Sequence, residues 1–259
     1  MKTVLRSVAM AFSMFSKIPV PMVEWKRENM KYMLCALPLV GAAIALALCL
    51  WYGLCQWLAV GSVLYAVGLT LLPVVISGGI HMDGFCDTVD ALSSHALPER
   101  KREILKDSHA GAFAIIYASA YLLLYAGLCT ELERSWRAVV IVGVQHVFAR
   151  ALGGLAGVAF PGSSSEGLLA AFRDGAGKKA ALLLTLWCAV CAAGLIALSP
   201  VSGVVCALAG GGLLWDLRRM SQREFGGMSG DLAGYLMTLA EVVLLACFIF
   251  AEKAVAVCF

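Results

Sequence analysis

From Tyr32 to Ile80 the chain carries no charged side chain. This run of about fifty positions is too long for one bilayer crossing and suits two helices of about 20 residues joined by a short turn. Further apolar runs of crossing length extend from Ala110 to Thr130, Ala138 to Phe160 and Leu232 to Ala251. Between them, Ala180 to Trp215 spans about 36 residues, enough for two short crossings hinged at SPVSG. The pattern predicts an all-α polytopic membrane helix bundle of about seven transmembrane helices, with six as the alternative. At the N-terminus, TVLRSVAMAFSMF sets apolar residues at helical spacing with basic ones between them, so residues 1–31 are expected along the cytoplasmic interface. No long repeat or low-complexity linker interrupts the chain, and 1–259 reads as a single integral membrane domain.

The Lys and Arg residues orient this arrangement. Lys2, Arg6, Lys17, Lys26, Arg27 and Lys31 precede the first crossing, and Arg100, Lys101, Arg102 and Lys106 lie between the second and third. Arg173, Lys178 and Lys179 follow the fourth, and Arg218, Arg219 and Arg223 precede the last; the opposite connections hold only Arg134, Arg137 and Lys253. Short cytoplasmic loops are enriched in Lys and Arg, which predicts a cytoplasmic N-terminus and an external C-terminus in the cytoplasmic membrane. Three polar, glycine-bearing segments then meet on the cytoplasmic face: GGIHMDGFCDTVDAL, KDSHAGAF and GGMSGD.

Composition agrees with this reading. The 259 residues are 61% hydrophobic and 14% charged, with mean hydropathy +0.86, whereas soluble domains are about 45–50% apolar and about 25% charged. Lys2, Arg6 and Lys17 interrupt what would be the apolar core of a signal peptide, so no cleaved leader is expected. A net charge of +3 without a basic tail gives no reason to expect nucleic acid as a partner. Eight of the cysteines, Cys188 and Cys191 among them, sit within apolar runs and read as small packing residues.

Asp83, Asp87 and Asp90 have i, i+4 and i+7 spacing, which on a helix puts three carboxylates on one face. Like charges that close repel unless a cation holds them, and hard oxygen ligands suit Mg²⁺ completed by substrate phosphates. Gly84 would leave room beside Asp83 for a metal-bound ligand. His81 suits a phosphate contact, a hydrogen bond to an Asp, or a structural interfacial role. In KDSHAGAF, Lys106 offers a point charge, Asp107 a further ligand or base, and Ser108 a polar contact; Asp107 and Ser108 equally suit capping of the next helix. In GGMSGD, Gly227 and Gly230 would expose backbone N–H groups to an anion beside Asp231, or simply form an interfacial turn and cap. Arg150 and Glu241 fall inside crossings, where Arg150 either reaches inward to phosphate or pairs with Glu241. His146 shares its face, and GGLAG, from Gly153 to Gly157, favours close helix packing.

Together these residues resemble a known family. H-x-D-G-x-x-D-x-x-D from His81 to Asp90, then KDSHAG, then GGMSGD before a last apolar helix, with an early FSKIPVP and an Arg in the fourth crossing, is similar to cobalamin synthase, the adenosylcobinamide-GDP ribazoletransferase family. Ala91 and Ala114 depart from it, since the family usually or often has Gly there. The resemblance implies an integral membrane, Mg²⁺-dependent transferase. It would move the cobinamide-phosphate of adenosylcobinamide-GDP to the 5′-hydroxyl of α-ribazole, or condense it with α-ribazole 5′-phosphate, and release GMP. It implies Mg²⁺ on Asp83, Asp87, Asp90, Asp107 and Asp231, with Asp90 or Asp87 as base. His81, Gly84, Lys106, Ser108, Arg150, Gly227 and Gly230 would border the substrates. The expected partners are these small molecules and the lipid bilayer, and a homo-oligomer is left open. Two alternatives are a CDP-alcohol phosphatidyltransferase, whose spaced aspartates are similar but whose A-R continuation is absent here, and a cation-coupled transporter.

Overall fold

The computed structural model describes residues 2–24, 26, 30, 32–107, 109–163 and 168–258, with the backbone alone at 2, 168, 174–176 and 178. Arg27 and Lys31, counted above with the cytoplasmic charges, lie outside the described residues. In chain order the helices are α1 (Lys2–Phe15), α2 (Leu37–Trp57), α3 (Ser62–Ser77), α4 (Ile80–Ser93), α5 (Pro98–Ile104), α6 (Ala112–Thr130), α7 (Trp136–Ala159), α8 (Leu168–Leu198), α9 (Pro200–Phe225) and α10 (Gly230–Cys258). No strand occurs among the described residues, only an isolated bridge between Gly162 and Met228. The chain is an all-α polytopic membrane bundle. Leu34–Trp57, α6, α7, Lys179–Leu198, α9 and α10 are each long and apolar enough to cross a bilayer, and α3 with α4 makes a seventh when this bent pair counts as one span.

That bend has a backbone cause. Gly78 and Gly79 both take left-handed conformations, φ +66° and +79°, which cost glycine little. The N–H groups of Gly78 and Gly79 close α3 on Val75 and Val74 O at 3.2 and 3.0 Å, and α4 leaves at 93° to α3. The chain after α1 is tied to this corner, since Lys17 N–H donates to Ile76 O at 2.8 Å. Redirected in this way, α4 packs along α10 and α6.

The centre of the bundle is α7 and α10. Of their apolar windows, 78% and 72% is buried, against 17% for Lys179–Leu198, which leaves most of its surface for lipid. Small residues let α7 lie against α2: Gly41 faces the His146 carbonyl, and Gly143 faces Ala45. α1 buries Ser7, Met10, Ala11 and Phe15 and leaves Val4 and Leu5 exposed. The sequence reading ended the sixth apolar run at Trp215, whereas α9 continues to Phe225 and carries Arg218, Arg219 and Arg223 in its last turns. Helix continues there because a polar face is tolerated where the helix leaves lipid.

Candidate active site

A cavity of about 670 Å³ opens where α4, the end of α7, the start of α8 and the start of α10 meet. His81 and Asp83 of α4, Lys106, and Ser229, Gly230 and Asp231 all line it, so the three polar segments picked out in the sequence do converge. Phe15 of α1, Leu37 and Met237 supply apolar wall.

Asp231 comes within electrostatic reach of Asp83 because α4 and α10 touch backbone to backbone. A Cβ on Gly84 would lie 2.8 Å from Asp231 O, and one on Gly234 would lie 3.1 Å from His81 O. Gly84 therefore serves helix packing, not the approach of a ligand as its spacing suggested. Gly227 is likewise a packing residue: it is buried at φ +149°, a side chain there would strike the Gly162 backbone, and it does not line the cavity. Around it, Met228 N–H donates to Pro161 O at 2.8 Å and Ser163 N–H to Met228 O at 3.0 Å, which fixes the loop that leads into α10. Ser229 Oγ accepts from Leu232 N–H at 3.3 Å and caps α10.

The three aspartates of α4 have separate surroundings. Asp83 is exposed on the cavity wall, Asp87 is half-buried, and Asp83, Asp90 and Asp231 all lie within electrostatic reach of Asp87. Asp90 turns to α6 and accepts from Gly111 N–H at 2.7 Å and Ala114 N–H at 2.9 Å. Those donors belong to the first turn of a helix, whose N–H groups have no partner within it, so a carboxylate from another helix provides the cap. Asp107 and Ser108 were the local alternatives for that cap. Asp107 instead accepts from His109 N–H at 3.0 Å and pairs with His109 Nδ1 at 2.7 Å. These bonds hold its exposed carboxyl below the usual carboxylate range. It does not line the cavity, and Ser108 lies outside the described residues.

His81 is 4% exposed and stacks on Phe15 with ring centroids 6.1 Å apart; neither ring nitrogen has a hydrogen-bond partner among the described residues. Arg150 is buried in the bundle, paired with Glu241 and 3.0 Å from His146 Nδ1. Tyr121 OH donates to Glu241 at 2.8 Å, and Tyr125 OH lies 3.1 Å from His146 Nε2. Arg150 is therefore committed to the ion pair and does not line the cavity. Gly153 and Gly157 do line it while packing against Met237 and Leu169. One cavity residue, Arg173 of α8, was read from the sequence only as a loop charge; its guanidinium lies over Gly162.

The donor set fits a hard divalent cation. Asp83, Asp87, Asp90 and Asp231 have no ion-pair partner among the described residues. Nor do any three acidic, His or Cys side chains among those residues converge tightly enough to hold an ion by themselves. Mg²⁺ usually binds through one or two carboxylates completed by phosphate oxygens, which is what Asp83 and Asp231 offer across one cavity.

A family model described as cobalamin-5-phosphate synthase matches residues 7–249. The chain is 42% identical to an adenosylcobinamide-GDP ribazoletransferase of Lachnoclostridium phytofermentans, over 92% of this chain and 91% of that one. It is 30% identical to the protein of the same name from Clostridium perfringens, over 93% and 96%. The Geobacillus kaustophilus protein of that name is 29% identical, over 94% and 95%. No solved structure matches the chain.

Proposed function

The chain belongs to the cobalamin-5-phosphate synthase family, and on that premise we propose that it is a membrane adenosylcobinamide-GDP ribazoletransferase acting at the cytoplasmic face. It assembles the nucleotide loop of cobalamin by joining the cobinamide-phosphate of adenosylcobinamide-GDP to ribazole. The observation that carries the site assignment is the cavity, which gathers Asp83, Asp231, His81 and Lys106 from three distant segments. Relatives of either alternative, a phosphatidyltransferase or a transporter, are not among the similar proteins above.

The family description, with its 5-phosphate product, bears on which hydroxyl attacks. An acceptor already phosphorylated at its 5′ oxygen cannot attack through that oxygen. The nucleophile common to free and phosphorylated ribazole is then a secondary ribose hydroxyl, not the 5′-hydroxyl expected from the sequence. Its oxygen bonds to the phosphorus that carries cobinamide, and the bond from that phosphorus to GMP breaks.

Each residue has a task in this step. A divalent cation such as Mg²⁺, held by Asp83 and Asp231, would neutralise the diphosphate and stabilise the departing GMP. Lys106, on the cavity wall and without an ion-pair partner among the described residues, adds a point charge toward phosphate. Because both Asp90 oxygens accept main-chain N–H groups, the hydroxyl proton passes to a carboxylate oxygen of Asp87, which lies one turn of α4 beyond Asp83, outside the cavity lining, and has no hydrogen-bond partner among the described residues. Asp90 acts indirectly, by fixing α4 to α6.

Purified protein in liposomes, given adenosylcobinamide-GDP, α-ribazole or its 5′-phosphate, and Mg²⁺, is expected to yield a cobalamin product and GMP in equal amounts by chromatography. A folded preparation that forms neither would overturn the assignment.

A further inference from the structure

Among the described residues, the cavity contains one cation that the reaction above does not use. Arg173 lines the wall, is partly buried, and makes no ion pair or hydrogen bond among the described residues. Its guanidinium rests on Gly162, where any Cβ would collide with it, so the loop that pairs with Met228 leaves the space that holds it. We propose that Arg173 reads the 5′-phosphate of the acceptor nucleotide and is a specificity-determining residue that favours phosphorylated ribazole over the free nucleoside. This inference rests on the transferase reading.

The charged side chains of the cavity hold an anion in two different ways. Beside Asp83 and Asp231 a phosphate is repelled unless a cation intervenes, so those carboxylates suit the metal-bound diphosphate. Arg173 needs no metal, and a guanidinium offers paired N–H donors that match the oxygens of a terminal phosphate. The reaction involves one such group besides the diphosphate. It is the acceptor's 5′-phosphate, which takes no part in bond making and lies across the ribose from the secondary hydroxyls.

The cavity wall also carries an unsatisfied polar group, which favours a polar ligand over a lipid chain. His81, 4% exposed, lines it with both ring nitrogens unpartnered among the described residues, and buried polar groups are otherwise almost always satisfied. The 670 Å³ volume falls within the range of roughly 300–1,000 Å³ usual for small-molecule pockets. Phe15, Leu37 and Met237 give it an apolar side for a heteroaromatic base.

The test compares kcat/KM for α-ribazole 5′-phosphate and for α-ribazole in wild type, Arg173→Ala and Arg173→Lys, with thermal unfolding as the check on folding. Wild type is expected to prefer the phosphorylated acceptor by at least about tenfold, as for a charge-assisted contact. Arg173→Ala should bring that ratio toward one, and Arg173→Lys should hold it between the two. If Arg173→Ala does not fold, the Lys variant decides, and its ratio must fall below that of wild type. The inference fails if wild type shows no preference or if Arg173→Ala lowers both acceptors by one factor. It also fails if only the KM for adenosylcobinamide-GDP rises while the ratio stays intact, which would place Arg173 on the donor diphosphate. If wild type forms no product from either acceptor, the transferase reading itself falls.

Discussion

Asp87 and Asp90 occupy adjacent turns of α4 with opposite hydrogen-bonding states, and they should respond differently to substitution. Asp90 accepts two main-chain N–H groups of α6. Asp90→Ala leaves both donors without their acceptor and is expected to cost about 1–2 kcal/mol, read as a lower thermal midpoint in detergent. Asp87 makes no such bond, so Asp87→Asn should leave that midpoint nearly unchanged. Its kcat should fall by at least about a hundredfold, above the ten- to hundredfold typical of residues that only support a ligand. Near-normal turnover in Asp87→Asn would remove it from the chemistry. The i, i+4, i+7 spacing made the helix and its acidic face readable, but not this division of labour. A carboxylate on one helix that caps another leaves no local signature, because Asp90 and Gly111 are brought together only by the packing of α4 on α6. Arg173 was missed for the same reason, since in sequence it is one basic residue in a basic loop.

Among the elements, α3 and α4 decide the topology. Apolar run length made the other crossings legible, and SPVSG marks the break at Ser199 and Pro200 between α8 and α9. Run length could not give the direction of α4, because two successive left-handed glycines set the 93° corner through backbone angles alone. If the bent pair completes one passage, the termini lie on opposite sides of the bilayer. A reporter fused after Phe259 should then read external and one fused before Met1 cytoplasmic, as the Lys and Arg bias requires. Both reporters on one side would mean that α3 and α4 return without crossing. The two readings offered for Arg150 are resolved at this scale as well. Its charge joins α7 to Glu241 of α10 with Tyr121 of α6, and the interior of the bundle, not the ligand, uses it.

Across the whole molecule, the site lies where segments from most of the chain meet at one end of a bundle built around α7 and α10. Phe15, Asp83, Arg173 and Asp231 come from α1, α4, α8 and α10 and share one cavity wall. Sequence reading found two of the four by their chemistry. It had Phe15 only within TVLRSVAMAFSMF and FSKIPVP and Arg173 only as a loop charge, because an apolar or basic residue at a membrane edge is common and shows its role only once its neighbours are known. The central claim is that the carboxylates of α4 and α10 and the donor diphosphate share one divalent cation. Electron paramagnetic resonance of Mn²⁺ added to the purified protein tests this most directly. Binding should be weak without adenosylcobinamide-GDP, tighten at least about tenfold when it is present, and lose that gain in Asp83→Asn/Asp231→Asn. Donor-dependent tightening that is undiminished in the double variant would contradict the account.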